Sequence, residues 1–390
     1  NVPVVQGTPG QTRPQKPCLL RESLHRVRKP RAFKRGLFSY GGGSVIKSGL
    51  LDAVKAQLAD RTVFTFGGIE PNPKIGTIKK AIELCRKENI DFIVAVGGGS
   101  VIDATKCIAA GTFYEGDAWN LMYDSAKIGR TLPFFAVLTL AATGSEYDNS
   151  GVISNPDTDE KLFLAAPNLF PVASVMDPTY TFTVPARHTA AGAADIMSHT
   201  FEQYFVAEGN ELTDGMCEAM LRTVIKYAPA ALKNPEDYEA RAQLMMASSF
   251  GCCGILSIGR SASAWPCHGI EHEISAYTDI SHGAGLAVIT PRWMRHTLNE
   301  KTAPRFAQYG VRVWGLDAKA DIMETARKAI DRTAEFFTSL GLPSRLSEMG
   351  VTDEHFEAMA EHVLKHWFPL ETAFTPLDKA AVIAILKASL

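Results

Sequence analysis

Short apolar runs that end in glycine constrain this chain more than any other feature. "TVFTF" (62–66) ends at Gly67-Gly68, "DFIVAV" (91–96) ends at Gly97-Gly98-Gly99-Ser100, and Tyr40 is followed by Gly41-Gly42-Gly43-Ser44. "LPFFAVLTL" (132–140) closes near Thr143-Gly144, and "VASVMD" (172–177) closes at Pro178. Between the first two runs, Lys74 to Glu88 carries Ile75, Ile78, Ala81, Ile82 and Cys85 at three-to-four spacing, the period of a helix with one buried face. Buried β runs alternating with helices predict βαβ units and a mainly parallel sheet, whose glycine loops gather on one edge. "GVISN" and "KLFLAA", on either side of Asn155-Pro156-Asp157, predict an added β-hairpin.

After Thr183 the strand-like runs nearly vanish, and Ala-, Leu- and Met-rich segments follow at 212–232, 238–256 and 319–340. This half reads as all-helical. The boundary falls near Val184-Pro185, because the residue before a proline is pushed out of helix. The expectation is a dinucleotide-binding α/β domain over 1–183 and an all-α, metal-binding domain over 184–390. Two domains also suit 390 residues, more than one core usually holds. With 40 basic and 42 acidic residues the formal charge is −2, so the bulk chain offers no electrostatic case for nucleic acid or a membrane surface. No apolar run approaches a membrane span, and none follows the first residues as in a signal peptide. Seven scattered cysteines without a C-x-x-C pair argue for a reducing, cytoplasmic setting. Residues 1–36 stand apart: nine Lys/Arg against the single acid Glu22 read as a disordered basic tail.

Gly97-Gly98-Gly99-Ser100 leads from a strand into a helix. Glycines there let the backbone approach a phosphate, and the free N–H groups of the helix start meet its charge. With the loops at 41–44 and 67–68 on the same edge, a nucleotide is the expected ligand, although the spacing is not G-x-G-x-x-G. Many dinucleotide sites hold the ribose 2′-hydroxyl with an acid after the first strand. That position here offers only Gly41 to Ser44. An acid a few Å from a 2′-phosphate would cost up to about 4 kcal/mol at intermediate dielectric, so its absence favours NADP(H).

In the helical half, Asp195 and His199 of "GAADIMSHTFEQY" are four residues apart, one above the other on a helix face. His268 and His272 of "CHGIEHEI" repeat the spacing, and His282 follows in "ISHGAG", beside glycines that suit a loop. One carboxylate with several imidazoles suits a divalent transition metal, Zn or Fe. A surface ion pair and core histidines would account for any one of these alone; their recurrence favours a metal site. Trp265, Ile270, Ile274 and Tyr277 offer apolar surface near it, suited to short aliphatic substrates.

These motifs, "GGGSVID", "TLAATGSE", "GAADIMSHTFEQY" and "HGIEHEISAYTDISHGAGLAVITP", resemble the iron-containing (group III) alcohol dehydrogenase family. The closest branch is the NADPH-dependent butanol dehydrogenases and aldehyde reductases, which "YGGGSVIKSG" (40–49) and "FGGIEPNP" (66–73) also resemble. The resemblance implies a dehydroquinate synthase-like fold and an NADP-dependent alcohol dehydrogenase acting on short-chain alcohols or aldehydes, assembled as a homodimer. It implies that Asp195, His199, His268 and His282 hold the metal, with His272 beside it as a catalytic proton relay or a supporting hydrogen bond. It implies cofactor contacts from Gly42, Gly43, Ser44, Asn72, Gly97, Gly98, Gly99, Ser100, Asp103, Thr139, Leu140, Thr143 and Lys161. Residues 1–36 lack the β-hairpin pattern with which the family usually begins. Two other classes make different demands on the sequence. A metal- and NAD-dependent lyase of the dehydroquinate synthase type needs basic residues for a phosphate-bearing substrate, and no Lys or Arg lies between His268 and His282. A catalytically silent nucleotide-binding sensor has no need of a four-ligand set.

Overall fold

The computed structural model describes residues 33–390 and the backbone of Val4–Gln6. The chain divides into two compact units, Asn1–Val184 and Pro185–Leu390.

The first unit is built on a six-stranded parallel sheet. Its strands are β1 (Val4–Gln6), β2 (Arg35–Tyr40), β3 (Thr62–Phe66), β4 (Phe92–Gly97), β5 (Phe134–Leu138) and β8 (Ala173–Met176), in the order β3-β2-β4-β5-β8-β1. Strands β6 (Ser150–Asn155) and β7 (Glu160–Ala165) form the expected antiparallel hairpin. β4 is buried along its whole length, as a strand covered on both sides must be. Helices α1 (Ser44–Lys47) and α2 (Leu50–Ala56) follow the first glycine loop, and Leu50, Leu51 and Val54 pack with Phe38, Val94, Val96, Phe135 and Val137 of the sheet. Helix α3 (Ile75–Lys87) buries Ile75, Ile78, Ala81, Ile82 and Cys85, the stripe its spacing predicts. It packs against α4 (Gly99–Gly111), which is buried nearly throughout; the single-turn α5 (Asn120–Tyr123) comes next.

One expectation needs correction. Arg35 and Gly36 belong to a central strand, β2, which pairs with both β3 and β4. Gly36 hides the strand from sequence reading, yet it is required there: a Cβ would run into the Phe92 ring. Val4–Gln6 likewise depart from the basic-tail reading, since β1 pairs in parallel with β8; the rest of that reading falls on residues outside the described ones, apart from Phe33 and Lys34.

The second unit is helical, with no strand among residues 185–390. It comprises α6 (Ala186–Tyr204), α7 (Glu211–Lys233), α8 (Tyr238–Cys252), α9 (Pro266–Thr278), α10 (His282–Thr297), α11 (Ala303–Trp314), α12 (Ile322–Ser339), α13 (Phe356–His366) and α14 (Lys379–Ala388). Helix α6 is buried on every side from Thr189 to Tyr204, as suits the core helix of a bundle. Its small residues Ala190 to Ala194 let neighbours come close. At Gly283 of α10 an added Cβ would collide with the Ala191 carbonyl. No helix among the described residues is long and apolar enough to cross a membrane.

Candidate active site

In the first unit the parallel sheet brings the glycine loops to one edge, at the carboxyl ends of β2, β3 and β4. From β2 the chain runs outward to β3 and then crosses to β4 on the other side, so the reversal of strand order lies between β2 and β4. Such reversal points open a crevice for ligands. Gly42 and Gly43 border it with open space where side chains would be, and Gly43 has φ +102°, a conformation that favours glycine. The second loop is closed by neighbours. A Cβ on Gly99 would strike the Thr143 side chain, and one on Gly98 would come 3.2 Å from Leu140. Thr139 N–H donates to Gly97 O at 3.0 Å, so Gly97 to Ser100 and Thr139 to Thr143 form one lip. Asn72 sits in the loop after β3 with φ +47°, and Lys161 is buried in β7.

Asp103, expected among the cofactor contacts, lies in the first turns of α4. It is buried, and it accepts from Ser145 Oγ at 2.5 Å and from Val152 N–H at 3.1 Å. Lys106, one turn on and fully buried, donates to Asp148 Oδ1 (2.5 Å), Ser150 O (2.6 Å) and Ser145 Oγ (2.9 Å). Burial pushes Asp103 up to about 6, partly offset by Lys106 and Ser145, and it raises Asp148 as well. This polar cluster ties α4 to the turn after Thr143 and to the hairpin. Through Ser145 it braces the lip formed by Gly97 to Ser100 and Thr139 to Thr143.

In the second unit, three helices converge on Asp195. His199 lies one turn beyond it on α6, His268 comes from the first turn of α9, and His282 opens α10. The Nε2 atoms of His199, His268 and His282 lie 3.6, 3.6 and 3.5 Å from Asp195 Oδ1. His199 and His268 stack with centroids 4.5 Å apart. The backbone at Trp265 is left-handed (φ 49°, ψ 49°), strained for so bulky a residue, and turns the chain into α9. Its ring then lies edge-on to His199 and His268. His272 is placed beside His282 and Glu271, with its ring edge-on to Trp367 at 4.8 Å.

Two carboxylates stand behind this cluster. His268 Nδ1 bonds Glu202 of α6, which also accepts from the Cys267 N–H at 2.6 Å. His282 Nδ1 bonds Glu271 of α9, which is held in turn by the Ser275 hydroxyl. Sequence reading missed both glutamates, although each follows a predicted ligand by one helical turn: 199 + 3 = 202 and 268 + 3 = 271. The packing crosses these pairs over, so that Glu202 serves His268 and Glu271 serves His282. The glycines after His282 do not make a loop. His282 is the first residue of α10, and Gly285 leaves room for Glu271, whose Cγ lies 2.8 Å from where a Cβ would stand. Ile270 and Ile274, expected to border the site, are core residues at 1% and 0% exposure, and Tyr277 stacks on His355.

The electrostatics follow from this geometry. Burial alone would raise Asp195, but the imidazoles of His199, His282 and His268 outweigh it and hold the carboxyl well below its usual range. Burial pushes His199 down to about 3. It would lower His268 too, yet Glu202 and Asp195 lift that ring to about 9. Asp195 Oδ1, His199 Nδ1 and His268 Nε2 are buried without a hydrogen-bond partner among the described residues. Each such atom costs about 1–3 kcal/mol. The N···O separations of 3.5–3.6 Å are too long for hydrogen bonds. They fit ligands shared by one cation, because donors about 2.1 Å from a tetrahedral metal lie about 3.4 Å apart. Donor atoms of Asp195, His268 and His282 all lie within 4.8 Å of one another, and His199 joins them through its 3.6 Å approach to Asp195; carboxylate with imidazole suits a divalent transition metal.

A parallel sheet with a glycine-loop edge, followed by a helical unit with a buried carboxylate–histidine cluster, defines the class of metal- and dinucleotide-dependent enzymes with a dehydroquinate synthase-like fold. Comparison with known proteins agrees. Residues 20–178 match the family model "Iron-containing alcohol dehydrogenase", and residues 189–390 match "Fe-containing alcohol dehydrogenase family, C-terminal". NADH-dependent butanol dehydrogenase A of Clostridium acetobutylicum is 49% identical over 358 residues, covering 91% of this chain and 92% of its own length. NADPH-dependent aldehyde reductase YqhD of Escherichia coli is 38% identical over 336 residues, covering 85% of this chain and 86% of its own. The crystal structure of NADH-dependent butanol dehydrogenase A from Thermotoga maritima superposes with a TM-score of 0.91 at 32% identity, covering 100% of this chain and 96% of that one. The chain therefore belongs to the iron-containing alcohol dehydrogenase family, whose members bind a divalent metal and NAD(P)H.

Proposed function

We propose that the protein is an aldehyde reductase and alcohol dehydrogenase that interconverts short-chain aliphatic aldehydes and alcohols with NADP(H). The observation that carries this reading is the approach of three Nε2 atoms to one Asp195 oxygen at 3.5–3.6 Å. Asp195, His199, His268 and His282 would hold one divalent cation, iron or zinc. When bound, the dinucleotide supplies the hydride and the cation draws electron density from the substrate oxygen. The backbone around Gly97 to Ser100 and the open glycines 42–43 hold the phosphates, and Thr139, Leu140 and Thr143 complete the lip that Gly97 to Ser100 begin. Asn72, Lys161 and Asp103 are further candidate contacts, and Asp103 also holds α4 to the Ser145 turn and the hairpin. Reduction leaves the substrate oxygen needing a proton. His272, buried next to His282 but not facing Asp195, is the group that holds one.

NADP(H) is favoured over NAD(H) because no acid follows β2 at Gly41 to Ser44 and Gly42 opens to free space. The test is oxidation of NADPH, and of NADH in parallel, with butanal before and after chelation and after return of Fe²⁺ or Zn²⁺. The expected result is NADPH turnover that chelation abolishes and one metal restores. Turnover that survives complete metal removal overturns the metal assignment, and a preference for NADH overturns the nucleotide assignment.

A further inference from the structure

We propose that Glu202 and Glu271 are positioning residues that aim the Nε2 lone pairs of His268 and His282 and thereby set the affinity of the site for its cation; this rests on the metal reading above.

An imidazole offers one lone pair to a metal, and which nitrogen offers it depends on where the other nitrogen's proton is held. In His268 and His282 the Nδ1 atom is taken by a carboxylate and Nε2 faces Asp195. Both carboxylates are sealed from water, Glu202 at 1% exposure and Glu271 at 0%. They are fixed in their own right. Glu202 spans the start of α9 through the Cys267 N–H, and Glu271 is gripped by Ser275 and lies in the space left by Gly285. A buried carboxylate is costly unless matched by positive charge. These two are matched through the ring protons of His268 and His282, and a cation on the far nitrogens strengthens that match. His199 differs, because its Nδ1 has no partner among the described residues. The site is thus asymmetric, with two aimed imidazoles and one left to packing.

Three variants test the idea on protein freed of metal and titrated with Co²⁺ and Zn²⁺ in competition with a chelator. Supporting groups of this kind change affinity by about 10–100-fold, and that loss is expected for Glu271→Leu. Glu271→Gln keeps an acceptor oxygen and should fall between. Gly285→Ala keeps the carboxylate but pushes it aside, and should weaken binding in the same direction. The Co²⁺ absorption bands of the variants should shift as the ring turns. The thermal midpoint of the metal-free protein separates this role from a purely structural one. Variants that lose stability without metal but bind the cation as tightly as wild type overturn the proposal. So does a second ion per chain that disappears in Glu271→Leu, since it would make Glu271 a ligand alongside His272 and His282. If wild type itself binds no cation, the metal reading fails instead. Glu202→Gln is a parallel variant, read the same way because its carboxylate also holds a backbone N–H.

Discussion

Replacing Lys106 by Met should be among the most destabilising single changes in the first unit, and its cost should depend on pH. The ammonium is fully buried, with all three of its donors used, on Asp148, Ser145 and the Ser150 carbonyl. Met keeps most of the stem, so the cavity left behind is small; what is lost is the cation. Asp148 would remain buried beside Asp103 without a counter-charge, and removing one partner of such a pair costs about 3–5 kcal/mol. Asp148 can escape by taking up a proton. From its ordinary value of 3.8 this costs about 4 kcal/mol at pH 7 and about 1.6 kcal/mol at pH 5, which caps the penalty at each pH. Urea titrations of wild type and Lys106→Met at the two pH values should therefore show a gap of about 3–4 kcal/mol at pH 7 that shrinks to about 1.6 kcal/mol or less at pH 5. The double variant Lys106→Met/Asp148→Leu should recover much of the loss. Because the cluster supports Gly99 and Thr143, KM for the dinucleotide should rise more than kcat falls. A gap below about 1 kcal/mol at pH 7, or one that does not change with pH, would refute the account of Lys106 as the counter-charge of this cluster.

Three further outcomes follow from the same geometry. Asp103 has a folded-state value of about 6 against 3.8 unfolded, so between those values the folded protein keeps a proton that the unfolded chain releases. Its contribution is present below pH 4 and is lost as pH rises to 6, by at most about 3 kcal/mol; the stability–pH curve of Asp103→Asn should lack that slope when compared with wild type by thermal denaturation. Gly99→Ala places a methyl against Thr143 and should cost about 1–3 kcal/mol as overpacking, with Thr143→Ala relieving it; additive losses in calorimetry would argue against the contact. Gly42→Asp puts a carboxylate in open space at the end of β2. It should weaken NADPH by up to about 4 kcal/mol and spare NADH, and equal effects on the two KM values would remove Gly42 from the neighbourhood of the 2′-phosphate.

Much of this protein is legible in one dimension. The run-and-glycine punctuation determines a parallel sheet with its loops on one edge, because a strand buried on both sides has no polar face to show. The stripe from Ile75 to Cys85 determines which side of α3 is buried, and four-residue spacing alone puts Asp195 and His199 on one face. The strand Arg35–Tyr40 escaped because Gly36, which the Phe92 ring requires, looks like a turn until its neighbour is known. What tertiary structure decided is which segments meet. His268 and His272 carry the same spacing signal, yet the approach of α10 to α6, made possible by Gly283, selects His268 and His282 to face Asp195. Glu202 and Glu271 sit one turn from histidines they do not serve, and Lys106 finds its counter-charge 42 residues away. Periodicity reports that a residue is buried because the helix or strand repeats past it. It carries no record of the partner, which is chosen by close packing between segments distant in the chain.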